Sequence, residues 1–117
     1  MTDKLKIFLN PECSKCRLTM QLLDEKGISA DVVEYLKTPP NFEELSSLLD
    51  MLGLEPREAM RTHEAPYLEK GLDDEKLSRE QLIQAMIDDP VLLQRPIVVN
   101  QGKAAICRPP ENLLGIL

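Results

Sequence analysis

Leu5-Lys6-Ile7-Phe8-Leu9 runs directly into Asn10-Pro11-Glu12-Cys13-Ser14-Lys15-Cys16-Arg17, and this junction decides how the chain is built. The apolar run reads as a buried strand. Leu18, Leu22 and Leu23 then fall on one face of a helix over residues 14–26, with Gly27 suited to its C-terminal cap. Cys13 therefore lies where the first unpaired N–H groups of a helix point at its sulfur. Those groups and the helix dipole favour negative charge, so the thiol should ionise below its free value of about 8.5. The same groups would bind an incoming anion.

Working outward, Val32, Val33 and Tyr35 suggest a second strand, parallel to the first across a βαβ unit. Thr38-Pro39-Pro40-Asn41 breaks the chain, with Asn41 as N-cap of a helix through Phe42, Leu45, Leu48, Leu49 and Leu52 that stops near Gly53. Residues 54–77 are interrupted by Pro56, Pro66 and Gly71 and read as short helical turns. Ser78 and Gln81 form a capping-box signature ahead of Leu82, Ile83, Met86 and Ile87, and Pro90 ends or follows that helix. Ile97-Val98-Val99-Asn100 and Ala104-Ala105-Ile106-Cys107 flank Gln101-Gly102-Lys103 as a hairpin, and Pro109-Pro110 start a short helix through Leu113, Leu114 and Leu117. The order β-α-β, helices, β-β-α is an α/β thioredoxin-like plan with a mixed sheet and a helical insertion at about 41–90. No repeat or linker divides it, so residues 1–117 read as a single domain.

The chain has 117 residues, 43% hydrophobic and 29% charged, which is ordinary for a globular domain. Without Trp, and with two Tyr and two Phe, its core must be aliphatic. A net charge of −6 with no basic face argues against nucleic acid or an anionic membrane as partner. A small anion remains compatible, because local arginines govern its binding. No signal peptide is evident and no apolar run approaches the ~20 residues of a membrane span. Three cysteines do not make a secreted disulfide framework. The expectation is a reducing cytoplasm, where a Cys-x-x-Cys pair is catalytic or metal-binding. Nothing suggests a state other than a monomer.

Cys13 is the candidate nucleophile. Arg17, one turn on, either adds positive charge to the site or lies in solvent. Cys16 shares a helix face with Cys13 at i,i+3, within the roughly 4.4–6.8 Å Cα separation of a disulfide. It is either a resolving thiol or a half-buried helix cysteine without redox role. Zinc is disfavoured, because His63 and Cys107 show no ligand spacing, and no metal is expected. Arg61, Arg95 (directly before Pro96) and Arg108 adjoin structural punctuation, and planar guanidinium groups suit tetrahedral oxyanions. Sequence spacing does not bring the three together. His63 reads as exposed, and Glu43, Glu44, Asp73, Asp74 and Glu75 as solvated.

Four motifs in this order resemble the glutaredoxin-coupled arsenate reductase family: Asn10-Pro11-Glu12-Cys13, Arg61-Thr62-His63-Glu64-Ala65-Pro66-Tyr67, Gln94-Arg95-Pro96-Ile97-Val98-Val99 and Cys107-Arg108-Pro109. The resemblance spans residues 5–117. It implies a thioredoxin-like fold with a helical insertion, a cis Arg95–Pro96 bond, and an anion pocket formed by Cys13, Arg61, Arg95 and Arg108. It also implies a reaction: Cys13 attacks arsenic(V), glutathione enters as co-substrate without any bound cofactor, and glutaredoxin supplies electrons before arsenite leaves. Two positions depart from well-studied members. Leu9 stands where they carry histidine, and Cys16 where they carry a small hydroxyl residue.

Three functions follow from this reading. The first is reduction of an oxyanion, arsenate being the named substrate. The second is general thiol–disulfide exchange or redox sensing through Cys13 and Cys16. The third is a non-enzymatic adaptor that binds a protein partner.

Overall fold

The computed structural model describes residues 5–117, which divide into two compact units, one of residues up to 38 together with 95–117, the other of residues 39–94. In the first unit, strand β1 (Leu5–Leu9) leads through helix α1 (Ser14–Glu25) to strand β2 (Ala30–Glu34). The chain returns as the hairpin β3 (Ile97–Asn100) and β4 (Lys103–Ile106), then ends in a 3-10 helix, Pro110–Ile116. The strands order as β2-β1-β3-β4. β1 pairs in parallel with β2, Ile7 opposite Val32, and antiparallel with β3, Ile7 opposite Val98. β3 pairs antiparallel with β4, Val98 opposite Ala105. This mixed sheet with its α1 crossover is the thioredoxin-like plan expected from the sequence.

Local chemistry fixes the boundaries. α1 ends in a Schellman motif: Gly27 takes φ +68°, its N–H donates to Asp24 O at 3.0 Å, and Ile28 N–H donates to Leu23 O at 3.0 Å. The hairpin turn consists of Gln101 and Gly102 alone, both at positive φ (51° and 79°), as a type I′ turn requires. Lys103, read above as part of the turn, is instead the first residue of β4. The last segment was expected to be a helix and is one, but of 3-10 type. Tyr35 lies one residue beyond β2 rather than inside it. Ile7, Leu9, Leu23, Val98, Cys107 and Leu113 pack as one aliphatic cluster with Cys16 among them. β2 is an edge strand, and its Val32 remains exposed.

The second unit is helical. Helix α2 (Phe42–Leu52) starts at Asn41, whose side-chain oxygen accepts the Glu44 N–H at 2.8 Å, and stops at Gly53 in the left-handed region. A 3-10 turn (Pro56–Ala59) and the short helix α3 (Ala65–Glu69) replace longer elements where prolines interrupt the chain. Helix α4 (Arg79–Asp88) opens on the expected capping box, Gln81 N–H to Ser78 Oγ at 3.1 Å and Ser78 N–H to Gln81 Oε1 at 2.8 Å. A 3-10 turn, Pro90–Leu92, follows it. Leu45, Leu48 and Leu49 of α2 and Leu82, Ile83 and Met86 of α4 are buried. Arg79 crosses from α4 to α2 and donates to Asp50 Oδ1 at 2.9 Å.

Candidate functional site

Cys13 is the N-cap of α1, with extended backbone angles (φ −88°, ψ 125°) and no capping hydrogen bond from its side chain. The loop before it is closed by its own bonds. Cys13 N–H donates to Asn10 O at 2.9 Å, and Asn10 Oδ1 accepts the Glu12 N–H at 3.0 Å. Arg17 reaches back so that its Nε donates to Pro11 O at 3.0 Å, while its guanidinium lies in solvent 3.9 Å from Glu12. Of the two readings of Arg17, the solvent position is the one observed, and its part is to clip the loop.

The Cys13 sulfur is half-buried, and burial alone would raise its pKa. The N–H groups of Cys16 and Lys15, the Cys16 thiol and the Arg95 guanidinium lie close enough to favour its thiolate and outweigh burial, bringing the pKa down to about 7. A substantial share of the sulfur is then thiolate near neutral pH. Cys16 behaves oppositely. It is 1% exposed, and burial together with the neighbouring Cys13 charge pushes its thiol up to about 12, although Asn10 N–H donates to its sulfur at 3.4 Å and Arg95 lies near. One sulfur carries the charge and the other keeps its proton and donates it.

Arg95 meets this pair from the start of β3. The Arg95–Pro96 bond is cis, as the resemblance implied, and so is Arg108–Pro109. Burial works against the Arg95 charge, but Tyr35 and Cys13 beside it favour the charge and raise its pKa further. Arg95 Nε is buried with no hydrogen-bond partner among the described residues, a donor that an oxyanion oxygen could satisfy. Arg108 is exposed, and its Nη1 donates to Arg95 O at 3.4 Å. The first unit thus gathers Cys13, Cys16, Arg95, Pro96 and Arg108.

Arg61 belongs to the second unit. Its backbone N–H donates to Leu92 O at 2.7 Å. Its guanidinium bonds Glu64 Oε1 at 3.1 Å and meets His63 Nε2 at 3.1 Å. The side chain of Arg61 is only 17% exposed, so Glu64 sets its direction; His63 is exposed as expected.

Tyr35 and Glu64 were missed as site residues by sequence reasoning. Tyr35 is buried, and its alternation with Val33 signalled an inward side chain, but nothing in the sequence linked it to Arg95 across the sheet. For Glu64, the i,i+3 spacing from Arg61 was a usable signal. Leu9, at the place of the family histidine, is buried and supplies no proton chemistry. With Pro11, Cys16, Arg17 and Met20 it lines an apolar recess of about 270 Å³. Among the described residues no group of three His, Cys, Asp or Glu side chains could hold a metal. A thiolate beside backbone N–H groups and the Arg95 guanidinium suits nucleophilic attack on an electrophile that bears negative oxygens.

Residues 8–116 match the model of the ArsC family. The chain is 52% identical to the uncharacterized protein YfgD of Escherichia coli K12, over 100% of its own length and 99% of that protein's. It is 48% identical to an arsenate reductase of Neisseria meningitidis serogroup A, covering 97% and 98% of the two chains. A solved arsenate reductase structure from Vibrio cholerae superposes with a TM-score of 0.96 at 46% identity, covering 100% of both chains.

Proposed function

The chain belongs to the ArsC family of arsenate reductases, and on that footing we propose that it reduces arsenate to arsenite at the Cys13 thiolate, with electrons from glutathione and a glutaredoxin. The observation that carries this reading is the Cys13 sulfur itself, lowered to about 7 by Arg95, the Cys16 thiol and two backbone N–H groups. Cys13 attacks arsenic(V), and water leaves as protons are taken up. Glutathione displaces a second oxygen to give a Cys13–arsenic–glutathione adduct. A glutaredoxin thiolate then attacks the glutathione sulfur, the electron pair stays on arsenic, and water releases arsenite from Cys13. In this scheme Arg95 and Arg108 bear the developing oxygen charge. Arg17 and Pro96 hold the thiolate loop and the approach of Arg95.

Arginine suits this task because its fork donates two parallel N–H bonds to neighbouring oxygens of a tetrahedral anion. No helix among the described residues is long and apolar enough to cross a membrane. The donors proposed are those of a reducing cytoplasm, where the free thiols of Cys13, Cys16 and Cys107 persist. The reading is tested by assaying purified protein with arsenate while glutathione and glutaredoxin are omitted in turn, beside an insulin-type disulfide substrate. Arsenite formation that needs both donors is the expected result. Disulfide reduction without arsenite formation would overturn it.

A further inference from the structure

We propose that Cys13 and Cys16 form a reversible internal disulfide, so that the same site is a thiol–disulfide couple that exchanges with glutathione disulfide, an activity that needs no arsenate. The geometry supports it in three ways. Cys13 is the N-cap and Cys16 the third residue of α1, a spacing that brings i and i+3 side chains onto one face, within the roughly 4.4–6.8 Å Cα separation of a disulfide. The Asn10 N–H donates to the Cys16 sulfur at 3.4 Å, which fixes that sulfur at the loop carrying Cys13, and each thiol is near enough to shift the other's ionisation. Cys16 is 1% exposed while Cys13 is half-buried, so an external disulfide reaches Cys13 first and Cys16 is shielded from it.

The chemistry is ordered by the same contacts. The Cys13 thiolate attacks one sulfur of glutathione disulfide, forming a Cys13–glutathione mixed disulfide and expelling one glutathione thiolate. That step removes the Cys13 charge, which had helped to hold the Cys16 proton in place. What remains at Cys16, apart from burial, favours ionisation: the Asn10 N–H at 3.4 Å from its sulfur and the nearby Arg95 charge. Cys16 passes its proton to a departing glutathione thiolate and attacks the Cys13 sulfur. The Cys13–Cys16 bond forms, the Cys13–glutathione bond breaks, and the second glutathione leaves. Two protein thiols are oxidised and one glutathione disulfide is reduced. Cys16 is thus silent until Cys13 is occupied. Neither Leu9 nor a hydroxyl residue at position 16 could close this bond.

The test is to incubate the protein with glutathione disulfide, quench in acid, unfold, alkylate free thiols, and map the products by mass spectrometry. The expected product is two hydrogens lighter than the reduced chain, with Cys13 and Cys16 both lost to alkylation and Cys107 still modified. Cys16→Ser and Cys16→Ala should stop one glutathione heavier, on Cys13. A wild-type chain that stops at the mixed disulfide, with Cys16 still alkylated, would overturn the proposal and leave Cys16 as a hydrogen-bond donor only. The wild-type result decides the matter even if the variants fold poorly. Because the assay contains no arsenate, its failure is separate from failure of the arsenate reading.

Discussion

At the scale of single residues, the account rests on two cysteines of opposite character one helical turn apart. Cys13 was legible in the sequence, because a strand followed by Asn10-Pro11 and a helix fixes where N–H groups converge. The contrast with Cys16 was not, since its burial depends on how α1 seats against the sheet. Iodoacetamide alkylation of Cys13 should rise with pH through a midpoint of about 7, since only the thiolate reacts. Cys16→Ala removes one donor from the sulfur, so the midpoint should move upward toward the ordinary thiol value of about 8.5; an unmoved midpoint would show that the thiol contact is idle. Arg95→Met removes both a thiolate partner and an oxyanion donor. It should raise the same midpoint and lower kcat for arsenate by about 10²–10³-fold, measured by arsenite release.

Individual elements were read well where the capping chemistry is local. Asn41, Ser78 with Gln81, and Gly27 each mark a helix end through bonds to residues no more than a few positions away. The misreadings came where the outcome depends on pairing partners. Lys103 joins β4 because Asn100 opposite it sets the register, and the last helix is 3-10 over Pro110–Ile116. Asn41→Ala leaves the α2 N-terminus without its side-chain acceptor and should cost about 1 kcal/mol in denaturant unfolding. Gly27→Ala meets no atom within 4 Å of its Cβ, so its cost is purely conformational. At φ +68° that cost should be about 1–2 kcal/mol, with activity per folded molecule unchanged.

For the molecule as a whole, the order of elements was legible because alternating periods of two and 3.6 residues are separated by Pro and Gly. The mixed sheet followed from that order. What the sequence could not supply was convergence across distance: Tyr35 lies beside Arg95 some sixty residues on, and Arg108 reaches back to the Arg95 carbonyl. The aliphatic core expected from the scarcity of aromatics is there, with Ile7, Val98 and Leu113 fully buried. Leu23→Ala within that cluster should destabilise by about 2–5 kcal/mol, a large share of a domain's stability, seen as a lower denaturant midpoint at unchanged slope. The central claim is that the Cys13 sulfur is the atom that reacts with arsenate. Its most direct test is the rate of arsenite formation by wild type and Cys13→Ser, side by side, with glutathione and glutaredoxin present. The account predicts steady arsenite formation by wild type and none above the protein-free background by Cys13→Ser, whereas equal rates from the two proteins would contradict it.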